Sequence, residues 1–195
     1  MVAYLHNQLR GFISPFLVSK LSREYNESEV LMKKSIETSI STILIGLNNK
    51  FDDKNLYDEL MEYIANSEFY LDFKIEATKI VVINSSFNKE GFKPLNLIFS
   101  NKKERISEMI SNEIGVKSET ASAILNFSVM FVCSYLKNQN QNFKSLQLLI
   151  NEQKRMIMST MPEGIRLLLG VSTVEIVQEK SKRNFASNIY SFFLG

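Results

Sequence analysis

Helix breakers and reactive side chains are scarce in this chain of 195 residues. It has a single cysteine, Cys133, which excludes an internal disulfide and any cysteine-based metal cluster and suits a reducing compartment. The single histidine, His6, stands near the beginning and reads as a solvated surface residue, and no serine sits in a nucleophile-elbow pattern. With only 7 glycines and 3 prolines, long helices meet few interruptions. No glycine-rich phosphate loop occurs; "NKEGFKP" is not one. The opening "MVAYLHNQLRGFISPFLVSK" lacks the basic leader, unbroken apolar run and small-residue cleavage site of a signal peptide. Uninterrupted apolar stretches fall short of the ~20 residues that a membrane-spanning helix needs. The expectation is a cytoplasmic domain. A formal net charge of +2 gives neither a strongly basic surface for nucleic acid nor an acidic tail.

What is present is apolar periodicity. Hydrophobic residues make up 45% of the chain, enough for the core of one domain of this length. Ser14-Pro15 is a helix start, with a hydroxyl for the orphan N–H groups and a proline where no N–H is needed. Phe16, Leu17, Lys20, Leu21 and Tyr25 follow with mostly apolar i, i+4 spacing, and Asn26, tolerant of the left-handed conformation, ends the helix. A second helix carries Met32, Ile36, Ile40, Ile43, Leu44 and Leu47 on one stripe. Asp52 or Asp53 caps a third, with Leu56, Leu60, Met61 and Ile64 facing inward. The β-branched run Lys79–Ile83 would lack a strand partner, so the stretch containing it is read as helix. Pro94 opens a short helix to about Ser100. Arg105–Ile114 is a helix stopped by Gly115; Ser118 caps a long one, and Phe143–Ser159 is the next. A short helix after Pro162 ends at Gly170.

The stretch "SNEIGVKSETASAILN", Ser111–Asn126, has the grammar of a helix-turn-helix DNA reader. Charge argues against that use. No arginine or lysine occurs from Ser118 to Leu136, and the helix continues as "ILNFSVMFVCSYL", a buried composition with few groups for phosphate. A better account is repetition. At a shift of 89 residues, which sets Leu47 on Leu136, the apolar positions Leu17, Leu21, Tyr25, Ile36, Ile40 and Ile43 fall on Ile106, Ile110, Ile114, Leu125, Val129 and Val132. Asn26 falls on Gly115, so both segments place a left-handed-tolerant residue at the helix stop. The expected fold is an all-α bundle of about eight helices built from two related helical hairpins.

Three stretches carry a family resemblance: "GFISPFLVSKLSREYNESEVLMKKSIETSISTILIGL" (Gly11–Leu47), "LIFSNKKERISEMISNEIGVKSETASAILNFSVMFVCSYL" (Leu97–Leu136) and "LLINEQKRMIMSTMPEGIRLLLG" (Leu148–Gly170). In this order they resemble the YidB-like bacterial domain of unknown function, domain-of-unknown-function family 937. The resemblance implies a helical bundle over most of residues 1–170, with residues 171–195 as a C-terminal helical tail. It implies no activity, and the chain departs from the family in being poor in glycine and alanine.

Candidate chemistry is thin. Cys133 lies in an apolar helix with nothing adjacent to lower its pKa. Asp52, Asp53, Asp58, Glu59 and Glu62 cluster at a helix beginning, where they complement its dipole; Asp58 and Glu62 share a face, but no histidine or cysteine is near enough in sequence to complete a metal site. The basic "KSKR" (Lys180–Arg183) precedes Phe185, Ile189, Phe192 and Phe193 at helical spacing. Those four are the candidate contact residues, for a partner subunit or for an anionic membrane surface. The sequence therefore reads as a non-enzymatic interaction or assembly module, self-associating or binding a protein partner, with no cofactor. The alternatives are a small-molecule or lipid binder with an apolar interhelical cavity and, with least support, a DNA-binding protein.

Overall fold

The computed structural model describes residues 5–50, 53–66, 89–138 and 143–170. The Lys79–Ile83 run and the tail residues Phe185, Ile189, Phe192 and Phe193 lie outside them. The described residues form an all-α bundle with no strand among them. Its helices are α1 (Leu5–Gly11), α2 (Pro15–Tyr25), α3 (Glu29–Asn48), α4 (Lys54–Asn66), α5 (Phe92–Phe99), α6 (Lys103–Ile114), α7 (Ser118–Asn138), α8 (Phe143–Ser159) and α9 (Glu163–Leu168), with a 3-10 turn at Ser100–Lys102 leading into α6.

The two hairpins are α2–α3 and α6–α7, and their ends coincide at the shift of 89 residues. Helix α2 stops at Tyr25 and α6 at Ile114; α3 begins at Glu29 and α7 at Ser118. Asn26 has φ 52° and Gly115 φ 84°, so both stops are left-handed. Within each turn a serine of the last helical turn reaches across to a carbonyl five residues on: Ser22 Oγ donates to Glu27 O at 2.5 Å, and Ser111 Oγ to Val116 O at 2.6 Å. Both pairs occupy equivalent positions, so the repeat extends from apolar register to turn chemistry.

The equivalent helices α3 and α7 pack on each other more extensively than any other described pair. Ile36, Ile40, Ile43, Val129 and Val132 are all fully buried there or against the flanking helices. Each such aliphatic side chain contributes about 1.5–3 kcal/mol of hydrophobic free energy. Both helices are buried nearly all round, as expected of helices whose apolar residues exceed one stripe. The equivalent Ser39 and Ser128 are buried without a hydrogen-bond partner for their hydroxyls. Gly46 lets α3 approach α5 closely: a Cβ there would fall among the atoms of Ile98 and the Phe99 ring.

Several details depart from the sequence reading. Helix α1 is not foreseen, although Leu5 and Leu9 stand at helical spacing; both are buried. In α4 the buried set is Tyr57, Leu60 and Ile64, with Leu56 and Met61 only partly covered. Asp53 does cap it, accepting from Leu56 N at 3.1 Å. Pro94 sits in the first turn of α5 rather than opening it. Helix α7 begins at Ser118 itself, and the N–H of the residue before it, Lys117, is met by another residue, described below. Its length and apolarity also reach what a bilayer span requires, contrary to the count of uninterrupted runs, because its polar positions are mostly uncharged serine and threonine. Most of that window is buried inside the bundle.

Candidate functional site

Helix α1 brings the chain's single histidine to a junction of helices. The His6 side chain is buried, not solvated as its position suggested, because Leu5 and Leu9 on the same short helix seat it against α3 and α8. Ser41 Oγ donates to Glu37 O at 3.0 Å, so it accepts from His6 Nε2 at 2.9 Å. This arrangement is the one the Nε2–H tautomer makes. Backbone His6 N donates to Gln153 Oε1 at 3.2 Å, and Tyr135 Oη donates to Gln8 Oε1 at 2.9 Å, tying α1 to α8 and α7. Burial, with Arg10 nearby, pushes the imidazole down to about 4, against a smaller opposing effect of Glu37. His6 is therefore neutral at pH 7.

Beside it opens a cleft of about 370 Å³. Arg10 from α1 and Glu37 from α3 pair across it at 2.8 Å. Lys34 stands on α3, and Glu113 reaches in from the end of α6, where its Oε1 accepts from Gly164 N at 3.2 Å. The segment from Ser159 to Pro162, between α8 and α9, closes the remaining side. Thr160 Oγ1 lies 3.2 Å from Ser41 Oγ and donates to Ile157 O at 2.7 Å. The lining is mixed in charge and polarity. Nothing in the sequence marked this site, because its residues come from four separated segments and none forms a local motif.

A second, more open cleft of about 680 Å³ lies where the two hairpin turns meet. Here Glu27 of the first turn serves the second. Its Oε1 accepts from Lys117 N at 2.8 Å and Thr120 Oγ1 at 3.1 Å, and so stands at the start of α7 where negative charge is favoured. Lys117 Nζ returns the contact, donating to Tyr25 O at 3.1 Å and Asn26 O at 3.4 Å at the end of α2. The cleft is lined by Glu24, Glu119, Ser122 and Asn126 beside Lys117. Three carboxylates, Glu24, Glu27 and Glu119, thus stand near the start of the helix that the helix-turn-helix grammar singled out, and its lysine is engaged.

The other candidate groups are placed as follows. Cys133 is fully buried, and burial pushes its thiol up to about 12. Asp58 pairs with Lys54 at 3.6 Å on the exposed side of α4. Among the described residues no group of three histidine, cysteine, aspartate or glutamate side chains is arranged to hold a metal ion.

The sequence profile of a family described as "Bacterial protein of unknown function (DUF937)" matches residues 7–139, which is more than half of the chain and includes both hairpins. The chain belongs to this family. The third stretch of the resemblance, Leu148–Gly170, lies beyond the matched residues, although α8 and α9 pack on the matched part through α1, α3 and α6. No curated protein and no solved structure matches the chain. The family match brings no activity with it.

Proposed function

We propose that this protein is a non-enzymatic assembly module that associates with further copies of itself or with a helical protein partner. The observation that carries the reading is the packing of α3 on α7. Two equivalent hairpins pack on each other through equivalent helices, as two subunits joined through the same element would. Hairpins of this sequence type are thus complementary to their own kind. Large apolar side chains also remain outside: Val30 is 77% exposed, Leu148 64%, Leu167 55% and Phe16 54%. The side chains capable of chemistry are spent on structure, His6 in the α1 contact and Cys133 in the core. The tail residues Phe185, Ile189, Phe192 and Phe193 supply further apolar groups of the kind that helix docking uses.

Cross-linking of an equal mixture of isotopically light and heavy chains tests the proposal. Mixed light–heavy cross-links that involve α8, α9 or the tail support it. Cross-links confined to single chains, with no protein retained from the native lysate, overturn it.

A further inference from the structure

The cleft at α1, α3 and α6 has unused ionic capacity of both signs. Arg10 and Glu37 satisfy each other. Lys34 makes no hydrogen bond or ion pair within the described residues, and Glu113 uses one carboxylate oxygen for the Gly164 N–H. Lys34 and Glu113 line the same cleft from different helices yet do not approach within the 4.0 Å of an ion pair. An ammonium and a carboxylate therefore face a shared space without neutralising each other. We infer that this cleft binds a small zwitterion, an amino acid or short peptide, whose carboxylate meets Lys34 and whose ammonium meets Glu113.

The charges select among ligands. With Arg10 and Glu37 neutralising each other, a simple anion would gain Lys34 but face Glu113, and a simple cation would gain Glu113 but face Lys34. A zwitterion matches both signs at once. The Ser159 and Thr160 hydroxyls and the apolar Met161 and Pro162 offer contacts for the rest of a small molecule. The volume is at the lower end for ligand sites, which suits an amino acid or a dipeptide and excludes a large cofactor. Lys34 and Glu113 are both exposed to water, so the expected affinity is weak, in the millimolar range. The inference is independent of self-association.

The test is amide NMR titration of the full chain with L-alanine and L-alanyl-L-alanine, beside N-acetyl-L-alanine and L-alanine amide, which each lack one charge. The expected result is saturable shifts at residues 34–38, 113 and 159–161 with the zwitterions, and at least about tenfold weaker binding of both single-charge analogues. Lys34→Gln and Glu113→Gln should each weaken the zwitterions by a similar factor with the rest of the spectrum unchanged. Glutamine at 113 keeps an acceptor for Gly164. Absence of saturable shifts with the zwitterions, or equal binding of the single-charge analogues by the wild-type chain, would overturn the inference whether or not the variants fold.

Discussion

Ser22 and Ser111 make the same hydrogen bond in two places, each donating to the carbonyl five residues ahead across a left-handed helix stop. Apolar register alone can arise between any two amphipathic hairpins. A shared side-chain bond at the same offset of 89 residues, with coincident helix ends, is far harder to obtain that way. The pair ties the sequence repeat to the geometry of both turns.

Equivalent core positions should then cost similar amounts when truncated. Ile40 and Val129 are both fully buried at equivalent places on α3 and α7. Ile40→Ala should destabilise by roughly 2–4 kcal/mol and Val129→Ala by somewhat less, since one fewer methylene is lost. Urea denaturation of each variant measures this. A cost under about 1 kcal/mol at either site would mean that this helix is not part of the shared core.

The turns make a second prediction. Asn26→Gly should be neutral or slightly stabilising, because glycine adopts φ 52° freely. Gly115→Ala should cost about 1–2 kcal/mol, since a side chain is placed at φ 84°, although nothing crowds the added Cβ. Thermal melts of the two variants should shift in opposite directions or leave only Asn26→Gly unchanged.

Much of this was legible in the sequence. Asn26, Gly115 and the Ser14-Pro15 start are local signals whose cause lies within a few residues, and each stands where its chemistry requires. The start of α7 was misread because Ser118 looks like a cap, whereas the acceptor is Glu27, some ninety positions earlier in the chain. His6 was misread for the same kind of reason: its burial depends on Ser41 and Gln153, which only the fold brings near. The cleft was invisible because no two of its elements are adjacent in sequence.

The Glu27 contact is a third test. Glu27→Ala removes the acceptor for Lys117 N and Thr120 Oγ1 and should cost about 1 kcal/mol, the usual worth of a helix cap. Amide exchange should rise in the first turn of α7 more than in α3, whose own cap, Ser28, bonds Leu31 N at 3.2 Å. Equal exchange in both helices would show that Glu27 does not hold the turn.

The histidine predicts acid sensitivity. Its folded pKa, about 4, lies below the ordinary 6.5, so the unfolded chain binds the extra proton first. The contribution is complete above pH 6.5 and is lost progressively as pH falls through the interval to about 4. Its size is on the order of 2 kcal/mol after allowance for screening. His6→Gln should flatten the stability profile across that interval. As the chain has one histidine, a single imidazole resonance should titrate near 4; titration near 6.5 would show that the ring is solvated.

Sedimentation velocity from low to high micromolar concentration tests the assembly reading most directly. The account predicts a sedimentation coefficient that rises with concentration and falls back toward the monomer when Leu148→Lys and Leu167→Lys are introduced at those exposed positions. A single monomer boundary at every concentration, from a chain that also retains no partner on affinity capture, would contradict it.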